Sequence, residues 1–226
     1  MTRQMWKWAL VPMLVLMGCA GGNEVAPLQV ELFRAGQETV AAKRAEKAAK
    51  PATLNRAQIE SLNLTIMDVS IEDRDIVGYV TLNAEQNDTL PGRVNVWRTT
   101  DNISLSMRNG VLISTRGFGG DLQSSAVQVA DSRLGPSQGE MVHVIRGLDD
   151  REVRFAFGCD VVDLGVETIE VLEYTYTTRH LQQQCAANSG QVVNDYWIDT
   201  NGGMIWQSRQ WAGPFVGYLR FRRLTK

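Results

Sequence analysis

The sequence predicts a mainly β protein, in which an antiparallel sheet forms a barrel-like or curled two-sheet architecture behind an N-terminal helix. From Leu64 onward, β-branched and aromatic residues dominate about ten short runs that turn residues separate. Asn109-Gly110 lies between two of these runs and favours a type I′ hairpin, because both centres of that turn need a positive φ. No helical segments alternate with the runs, so a doubly wound nucleotide-binding fold is disfavoured.

The N-terminus has the pattern of a secretory signal peptide. Residues 1–18 begin with the basic Arg3 and Lys7, continue with a short apolar run and end in small residues. This run is too short to span a bilayer. The LMGC motif of residues 16–19 also resembles a bacterial lipobox, which implies cleavage before Cys19 and lipidation of its thiol and new amine.

Lipidation at Cys19 would tether the protein to a membrane, because several acyl chains together anchor stably. Ala20 follows Cys19 at a position where an Asp would favour retention in the inner membrane. We therefore expect a lipid-anchored protein of the outer membrane, with its body on the periplasmic face. The alternative is an ordinary cleaved signal peptide followed by a chance cysteine.

Behind the signal peptide the sequence divides into three parts. Residues 19–26 are predicted to be the lipidated tether, residues 27–60 a helical segment, and residues 61–226 the β-barrel-like domain. High helix propensity favours a helix over Leu28–Ala49. Asn55 is a suitable N-cap for a second, short helix.

Turn residues divide the β domain into its strands. Besides Asn109-Gly110, turns are predicted at Thr200–Gly203 and Leu148–Arg151. The predicted strands cover residues 65–71, 75–83, 94–99, 102–107, 111–117, 141–147, 152–162, 166–181, 191–199, 204–211 and 215–224.

The glycine-rich segment Gly117-Phe118-Gly119-Gly120 raises the question of a phosphate-binding loop. It lacks the Lys-Ser/Thr of a P-loop and the third glycine of a dinucleotide turn. Residues 121–129, which follow it, are compatible with a short helix. The favoured interpretation is a strand end at which only glycine tolerates the backbone conformation.

Cys159 and Cys185 are the cysteines that remain beside Cys19. An oxidising compartment favours a disulfide between them. Two buried free thiols are the alternative. A metal site is disfavoured because no other Cys or His spacing completes one. No metal or cofactor is therefore expected.

Candidates for catalysis are few. Gly135–Gly139 matches the G-x-S-x-G nucleophile motif, but a strand follows it where that motif needs a helix, so a loop between strands is expected. His143 and His180 are the two histidines available for acid–base chemistry, and each lies in a predicted strand. No recognisable active site assembles around them.

Net charge and aromatic residues bear on the kind of partner. The formal net charge of -2 and the lack of a basic stripe argue against nucleic-acid binding. Aromatic side chains crowd the last third of the β region, where they could stack on sugars or fill the core. They are Tyr196, Trp197, Trp206, Trp211, Phe215, Tyr218 and Phe221.

Two long segments carry a resemblance to a known family. RTTDNISLSMRNGVLISTRGFGGDL, residues 98–122, and NDYWIDTNGGMIWQSRQWAGP, residues 194–214, resemble the YjbF/GfcB family of group 4 capsule and exopolysaccharide lipoproteins. The lipobox and the two later cysteines fit that family, whereas the Ala/Lys-rich residues 40–50 have no counterpart in it. The resemblance implies a β-barrel-like fold and a role in making or exporting extracellular polysaccharide. It carries over no catalytic residues.

The functional hypothesis is a non-enzymatic accessory lipoprotein of capsule or exopolysaccharide export, which binds either the polysaccharide or another protein of the secretion machinery. One alternative is a polysaccharide-modifying enzyme that uses His143 or His180 with a nearby carboxylate. A second is a purely structural envelope lipoprotein. The candidate contact residues are Arg116, Phe118, Asp121, Trp206, Arg209 and Trp211.

Overall fold

The structure is a computed structural model that describes residues 54–74, 76–146, 151–188, 190–201 and 203–226. The signal peptide, Cys19 with its tether, and the helix expected over Leu28–Ala49 lie outside the described residues.

A short helix, α1 (Arg56–Ser61), precedes the sheet. The Asn55 side chain accepts a hydrogen bond from the backbone N–H of Gln58, and the Gln58 side chain accepts one from the backbone N–H of Asn55. This reciprocal capping box satisfies two amides that a helix start leaves free, and it confirms Asn55 as the N-cap. In the described part of the chain, no helix has the length and apolar character needed to cross a membrane.

Twelve strands form one antiparallel sheet in the described residues. A 3₁₀ turn, Glu72–Arg74, follows the first of them. The strands are β1 (Ile66–Ile71), β2 (Ile76–Gln86), β3 (Val94–Arg98), β4 (Ser104–Arg108), β5 (Val111–Arg116), β6 (Leu122–Ala126), β7 (Gly139–Arg146), β8 (Glu152–Val171), β9 (Tyr174–Ala187), β10 (Gly190–Asp199), β11 (Ile205–Trp211) and β12 (Tyr218–Arg223).

The sheet curls into a nearly closed barrel, as predicted. Strands adjacent in sequence pair throughout, except for β5 and β6, and β1 pairs with β12 so that Met67 lies opposite Arg223. The two edges of the sheet are therefore β5 and β6, which lie side by side. Barrel closure of this kind protects strand edges that would otherwise stay exposed.

Alternating strand direction sorts the connections to two ends of the barrel. The end that carries α1 and the β2–β3, β4–β5, β6–β7, β8–β9 and β10–β11 connections is called the helix end. The opposite end carries the β5–β6 glycine segment with the β1–β2, β3–β4 and β11–β12 connections, and is called the glycine end. Arg74 joins two of these connections, because it donates hydrogen bonds to the Phe118 and Phe215 carbonyls.

The glycine segment closes the seam between β5 and β6. The Asp121 carboxylate accepts hydrogen bonds from the backbone N–H groups of Gly117 (2.9 Å) and Phe118 (3.0 Å) and from the buried Thr115 hydroxyl (3.1 Å). Gly120 has a φ of 104°, and a Cβ there would lie 2.4 Å from the Phe215 Cβ. The amides that a phosphate would need are thus occupied by Asp121, which supports a strand end over a phosphate loop.

Arg116 holds the same seam from the other side of the turn. Its guanidinium donates to the carbonyl oxygens of Thr115 (2.7 Å), Leu122 (3.2 Å) and Gln123 (3.2 Å). At the β5–β6 seam, side-chain hydrogen bonds therefore replace the backbone ladder that joins the other strand pairs.

Two local predictions were wrong, and the short helix with which residues 121–129 were compatible does not form. Residues 121–129 do not begin a helix, because Leu122–Ala126 is the edge strand β6. The run 166–181 is not one strand, since Leu172 and Glu173 adopt positive φ angles of 46° and 70° and form the β8–β9 turn. The break expected near residue 163 is instead a bulge, where Gly165 has a φ of 97° and its N–H donates to Asp163 Oδ1.

Several other predictions are confirmed. Asn109 and Gly110, with φ angles of 47° and 82°, form the β4–β5 turn. Cys159 and Cys185 lie opposite each other on β8 and β9 and form a disulfide. Closing a loop of 26 residues stabilises the fold by about 3 kcal/mol in the chain-entropy model. Residues 135–138 form a loop that leads into β7, as expected for a chance G-x-S-x-G match.

The seam makes a stability prediction. Asp121→Ala leaves the buried Thr115 hydroxyl and the less buried amides of Gly117 and Phe118 without their acceptor, so we expect the free energy of unfolding to fall by about 1–3 kcal/mol. Chemical denaturation of the full chain in detergent measures it. Asp160→Ala, which removes an exposed carboxylate on β8, is the matched control and should change stability little. Equal stability of the two variants would contradict this account of the seam.

Candidate functional site

A cleft of about 580 Å³ opens into the barrel at the helix end. Its walls come from inward-facing residues of β1, β3, β11 and β12 and from the connections at that end. The residues that carry its chemistry are Glu85, Asp88, Arg93, Asn95, Trp97, Asp131, Trp206, Phe221 and Arg223.

Trp97 and Asn95 line this cleft, and each carries a buried polar atom without a partner in the described residues. Trp97 is only 3% exposed, and its indole Nε1 has no hydrogen-bond partner among the described residues. The Asn95 Oδ1, two residues earlier on the same face of β3, is also buried and unpaired there. A buried donor or acceptor without a partner costs about 1–3 kcal/mol. These two atoms are therefore an unsatisfied donor and acceptor among the residues that line the cleft.

Arg223 lies against Trp97 in the same wall. Its guanidinium carbon is 4.7 Å from the centre of the indole ring, and its Nε donates to the Thr225 carbonyl at 2.8 Å. Burial lowers the pKa of Arg223 to about 10, although the negative charge of Glu85 raises it. No carboxylate forms an ion pair with Arg223 in the described part of the chain.

The acidic residues of the cleft, in contrast, all have partners. Asp88 accepts two hydrogen bonds from Arg108, at 2.5 and 2.9 Å, which lower the pKa of its carboxyl to about 2. Asp131 accepts the backbone N–H of Gly92 at 2.7 Å.

Glu85 completes the acidic set of the cleft. It pairs with Arg93 at 3.6 Å. The cleft wall is thus organised around satisfied carboxylates.

Asn109 fixes the loops around the mouth. Its Nδ2 donates to the carbonyls of Ala130 (2.7 Å) and Arg133 (3.1 Å), and its Oδ1 accepts the backbone N–H of Arg93 (2.8 Å). One buried amide thereby ties the β4–β5 turn to the β2–β3 and β6–β7 connections. The shape of the mouth follows from these bonds.

Beneath the cleft, a polar network crosses the barrel. Gln210 accepts hydrogen bonds from the Tyr196 hydroxyl (3.1 Å) and the Leu112 backbone N–H (2.8 Å), and it donates to the Gly110 carbonyl (2.9 Å). Complete burial raises the pKa of the Tyr196 hydroxyl, so it remains neutral. This network joins β10 and β11 to the β4–β5 hairpin across the interior.

The structure does not bring the six predicted contact residues together. Arg116, Phe118 and Asp121 lie at the glycine end, in the β5–β6 seam. Trp206 lines the cleft at the helix end, where its ring stacks on Tyr176 at 3.6 Å and its Nε1 donates to Asp199.

Arg209 and Trp211 lie elsewhere again. Arg209 pairs with Glu72 at 2.9 Å and stacks over Tyr218. Trp211 packs in the core against His143 and Phe157.

The predicted contact residues did not include Asn95, Trp97 and Arg223, although the strands of these residues carry a signal. Leu219 and Phe221 are buried and alternate with Arg220 and Arg222, which places Arg223 on the inward face. An arginine at an inward position is uncommon enough to mark a candidate site.

The two histidines have very different environments. His143 is 2% exposed, its Nδ1 lies 2.6 Å from the Ser125 hydroxyl, and burial lowers its pKa to about 4. His180 lies on the wall of β8–β10, with Nε2 2.9 Å from Asp195 and Nδ1 3.1 Å from Glu167. Of the two, only His180 has neighbouring carboxylates in the described residues.

A comparison with protein families places the chain. The family described as "Group 4 capsule polysaccharide lipoprotein gfcB, YjbF" matches residues 26–224. The chain belongs to this family. Membership of a capsule polysaccharide lipoprotein family is consistent with a location in the cell envelope and a role in capsule production.

A solved structure supports the fold. The hypothetical lipoprotein YmcC from Escherichia coli (K12) superposes with a TM-score of 0.62 at 18% identity, covering 87% of this chain and 95% of that one. No curated protein matches the chain.

Buried His143 makes a prediction about pH. Its folded-state pKa of about 4 lies below its ordinary 6.5, so the fold requires the neutral ring. The stabilisation is complete above the unfolded pKa and is lost as pH falls from about 6.5 to about 4, by up to about 3 kcal/mol. In His143→Asn, which keeps a polar group near Ser125, this part of the pH dependence should vanish.

Denaturant titrations at several pH values measure the difference between the two proteins. Above pH 6.5 the difference in unfolding free energy should be constant. An unchanged difference below that pH would show that His143 does not carry the effect.

Proposed function

We propose that this protein assists capsule polysaccharide production or export as a non-catalytic lipoprotein that binds the polysaccharide in the cleft at the helix end. The observation that supports this proposal is that two buried polar atoms of the residues lining one wall of the cleft, Trp97 Nε1 and Asn95 Oδ1, have no hydrogen-bond partner in the described residues. We also propose that Cys19 is its lipid anchor and that it acts at the periplasmic face of the outer membrane.

Sugar chemistry suits this wall. A sugar hydroxyl is both a donor and an acceptor, so hydroxyls on one ring could accept from Trp97 Nε1 and donate to Asn95 Oδ1. Phe221 and Trp206 also line the cleft, but their side chains are only 2% and 3% exposed, so they offer a sugar little apolar surface. The mouth is pre-organised by Asn109, which reduces the entropy lost on binding.

The seam residues fit this role less well. Arg116 and Asp121 already use their polar groups to hold β5 to β6, and Arg209 is paired with Glu72. They remain candidates for contact with a protein of the secretion machinery, for which the glycine end would be the docking face.

One observation favours the enzymatic alternative. His180 lies between Asp195 and Glu167, an arrangement that could move protons. If the protein modified polysaccharide there, His180→Gln would abolish a change in the length or substitution of capsule chains that the wild type produces. On the non-catalytic proposal, the wild-type protein and His180→Gln leave purified polysaccharide equally unchanged, as mass spectrometry of its fragments would show.

The binding proposal is tested by Trp97→Phe. This change keeps the ring and removes the Nε1 donor, so we expect capsule oligosaccharides to bind about tenfold more weakly. The measurement is isothermal titration of the full chain in detergent with capsule polysaccharide fragments from the source organism.

Trp197→Phe is the matched control. The Trp197 Nε1 donates to Glu167 at 2.8 Å, away from the cleft, so this variant should bind like the wild type. Absence of any binding by the wild type would reject the proposal. Equal weakening in both variants would place the ligand outside the cleft.

A further inference from the structure

Arg223 differs from two other arginines of the barrel, Arg108 and Arg222, in that no carboxylate binds it in the described residues. Arg108 binds Asp88 in two hydrogen bonds, and Arg222 binds Asp68 in the same manner. Asp68 is itself buried, and Arg222 is the cation that pairs with its carboxylate. Arg223, the next residue, turns inward and meets no carboxylate in the described residues.

The Arg223 guanidinium is held in place but not neutralised. The Trp97 ring lies against it, and the Thr225 carbonyl accepts its Nε–H. The terminal nitrogens have no protein acceptor in the described residues. A guanidinium has five N–H donors in a planar fork, so the donors of those two nitrogens are free to meet a ligand.

The charge of Arg223 is also poorly compensated. Burial lowers its pKa to about 10, and the opposing effect of Glu85 does not restore the ordinary value. Glu85 lies with Arg93, Asp88 with Arg108 and Asp131 with the Gly92 amide. Each of these carboxylates thus contacts another donor, although the charge of Glu85 also acts on Arg223.

Resting on the proposed function, we infer that the saccharide bound in the cleft is acidic and that Arg223 binds its carboxylate. The planar fork of a guanidinium matches a carboxylate with two parallel hydrogen bonds. Trp97 Nε1 and Asn95 Oδ1 lie on the same wall and would take hydroxyls of the same sugar unit or the next. A uronic acid and a sugar with a carboxyl-bearing substituent share this chemistry.

The test compares capsule polysaccharide fragments in two forms, native and carboxyl-reduced, in titrations with the full chain in detergent. We expect the native form to bind about 10–100-fold more tightly, because hydrogen bonds to charged groups contribute about 1.5–3 kcal/mol. Arg223→Gln should remove this preference. Arg223→Lys keeps the charge without the fork and should retain part of it.

Arg220→Gln is the matched control. It makes the same charge change on the same strand, but Arg220 is half exposed and pairs with Glu72, which Arg209 also binds. This variant should keep the full preference for the acidic form. Thermal unfolding of each variant checks that its fold is intact.

The outcomes separate this inference from the proposed function. Equal binding of native and carboxyl-reduced fragments, or a capsule polysaccharide without carboxyl groups that still binds, would overturn the acidic-ligand inference and leave polysaccharide binding standing. Loss of the preference in Arg220→Gln as well would overturn the assignment to Arg223. Failure of both forms to bind the wild type would reject the proposed function itself.

Discussion

The fold depends on how a single meandering sheet meets its own edges. Pairing of β1 with β12 joins the two termini of the domain, but β5 and β6 meet without a backbone ladder. Asp121 and Arg116 supply side-chain hydrogen bonds at that seam. Without them, two strand edges would be left with unpaired amides and carbonyls, which is a template for association with other chains. Gly120 is needed there because the turn brings its backbone against Phe215.

Closure at the glycine end leaves the helix end free to form a cavity. The interior near the seam is filled by apolar side chains such as Leu105, Leu122 and Ile145. Towards the helix end the interior becomes polar, with Gln210 and Tyr196 as its central residues. Because Gln210 binds backbone groups of the β4–β5 hairpin, it sets the distance across the barrel below the cleft. The two ends thus have different tasks, one structural and one suited to a ligand.

Local signals in the sequence predicted local structure well. Asn109-Gly110, the Asn55 cap and the paired cysteines each depend on a short stretch of chain or on residue chemistry alone. The β8–β9 turn was missed because Leu172 and Glu173 are not residues that favour a positive φ; the long hairpin imposes it. The gap left between the predicted strands 152–162 and 166–181 was wrong because the chain forms a bulge at Gly165 and the strand continues through it.

The site was harder to predict because it depends on which face of each strand turns inward. Trp206 was identified as an aromatic residue of interest, yet Arg209 and Trp211 beside it lie in other environments. Residues chosen by their side-chain type alone can lie on either face of a strand, because successive strand residues point to opposite sides. Strand periodicity in YLRFRR would have placed Arg223 inside the barrel, but its contact with Trp97 joins β12 to β3 across the fold. No short-range pattern contains that contact.

The cleft wall is best understood by what it leaves unsatisfied. Most buried polar groups of folded proteins have partners, and leaving one unpaired lowers stability. Here the buried Trp97 Nε1 and Asn95 Oδ1 lie on the face of β3 that Arg223 contacts, whereas Asp88, Asp131 and Asn109 each have a hydrogen-bond partner. A packing accident would scatter such groups through the barrel. Their concentration on one wall of an open cleft is the pattern expected where a ligand supplies the missing partners.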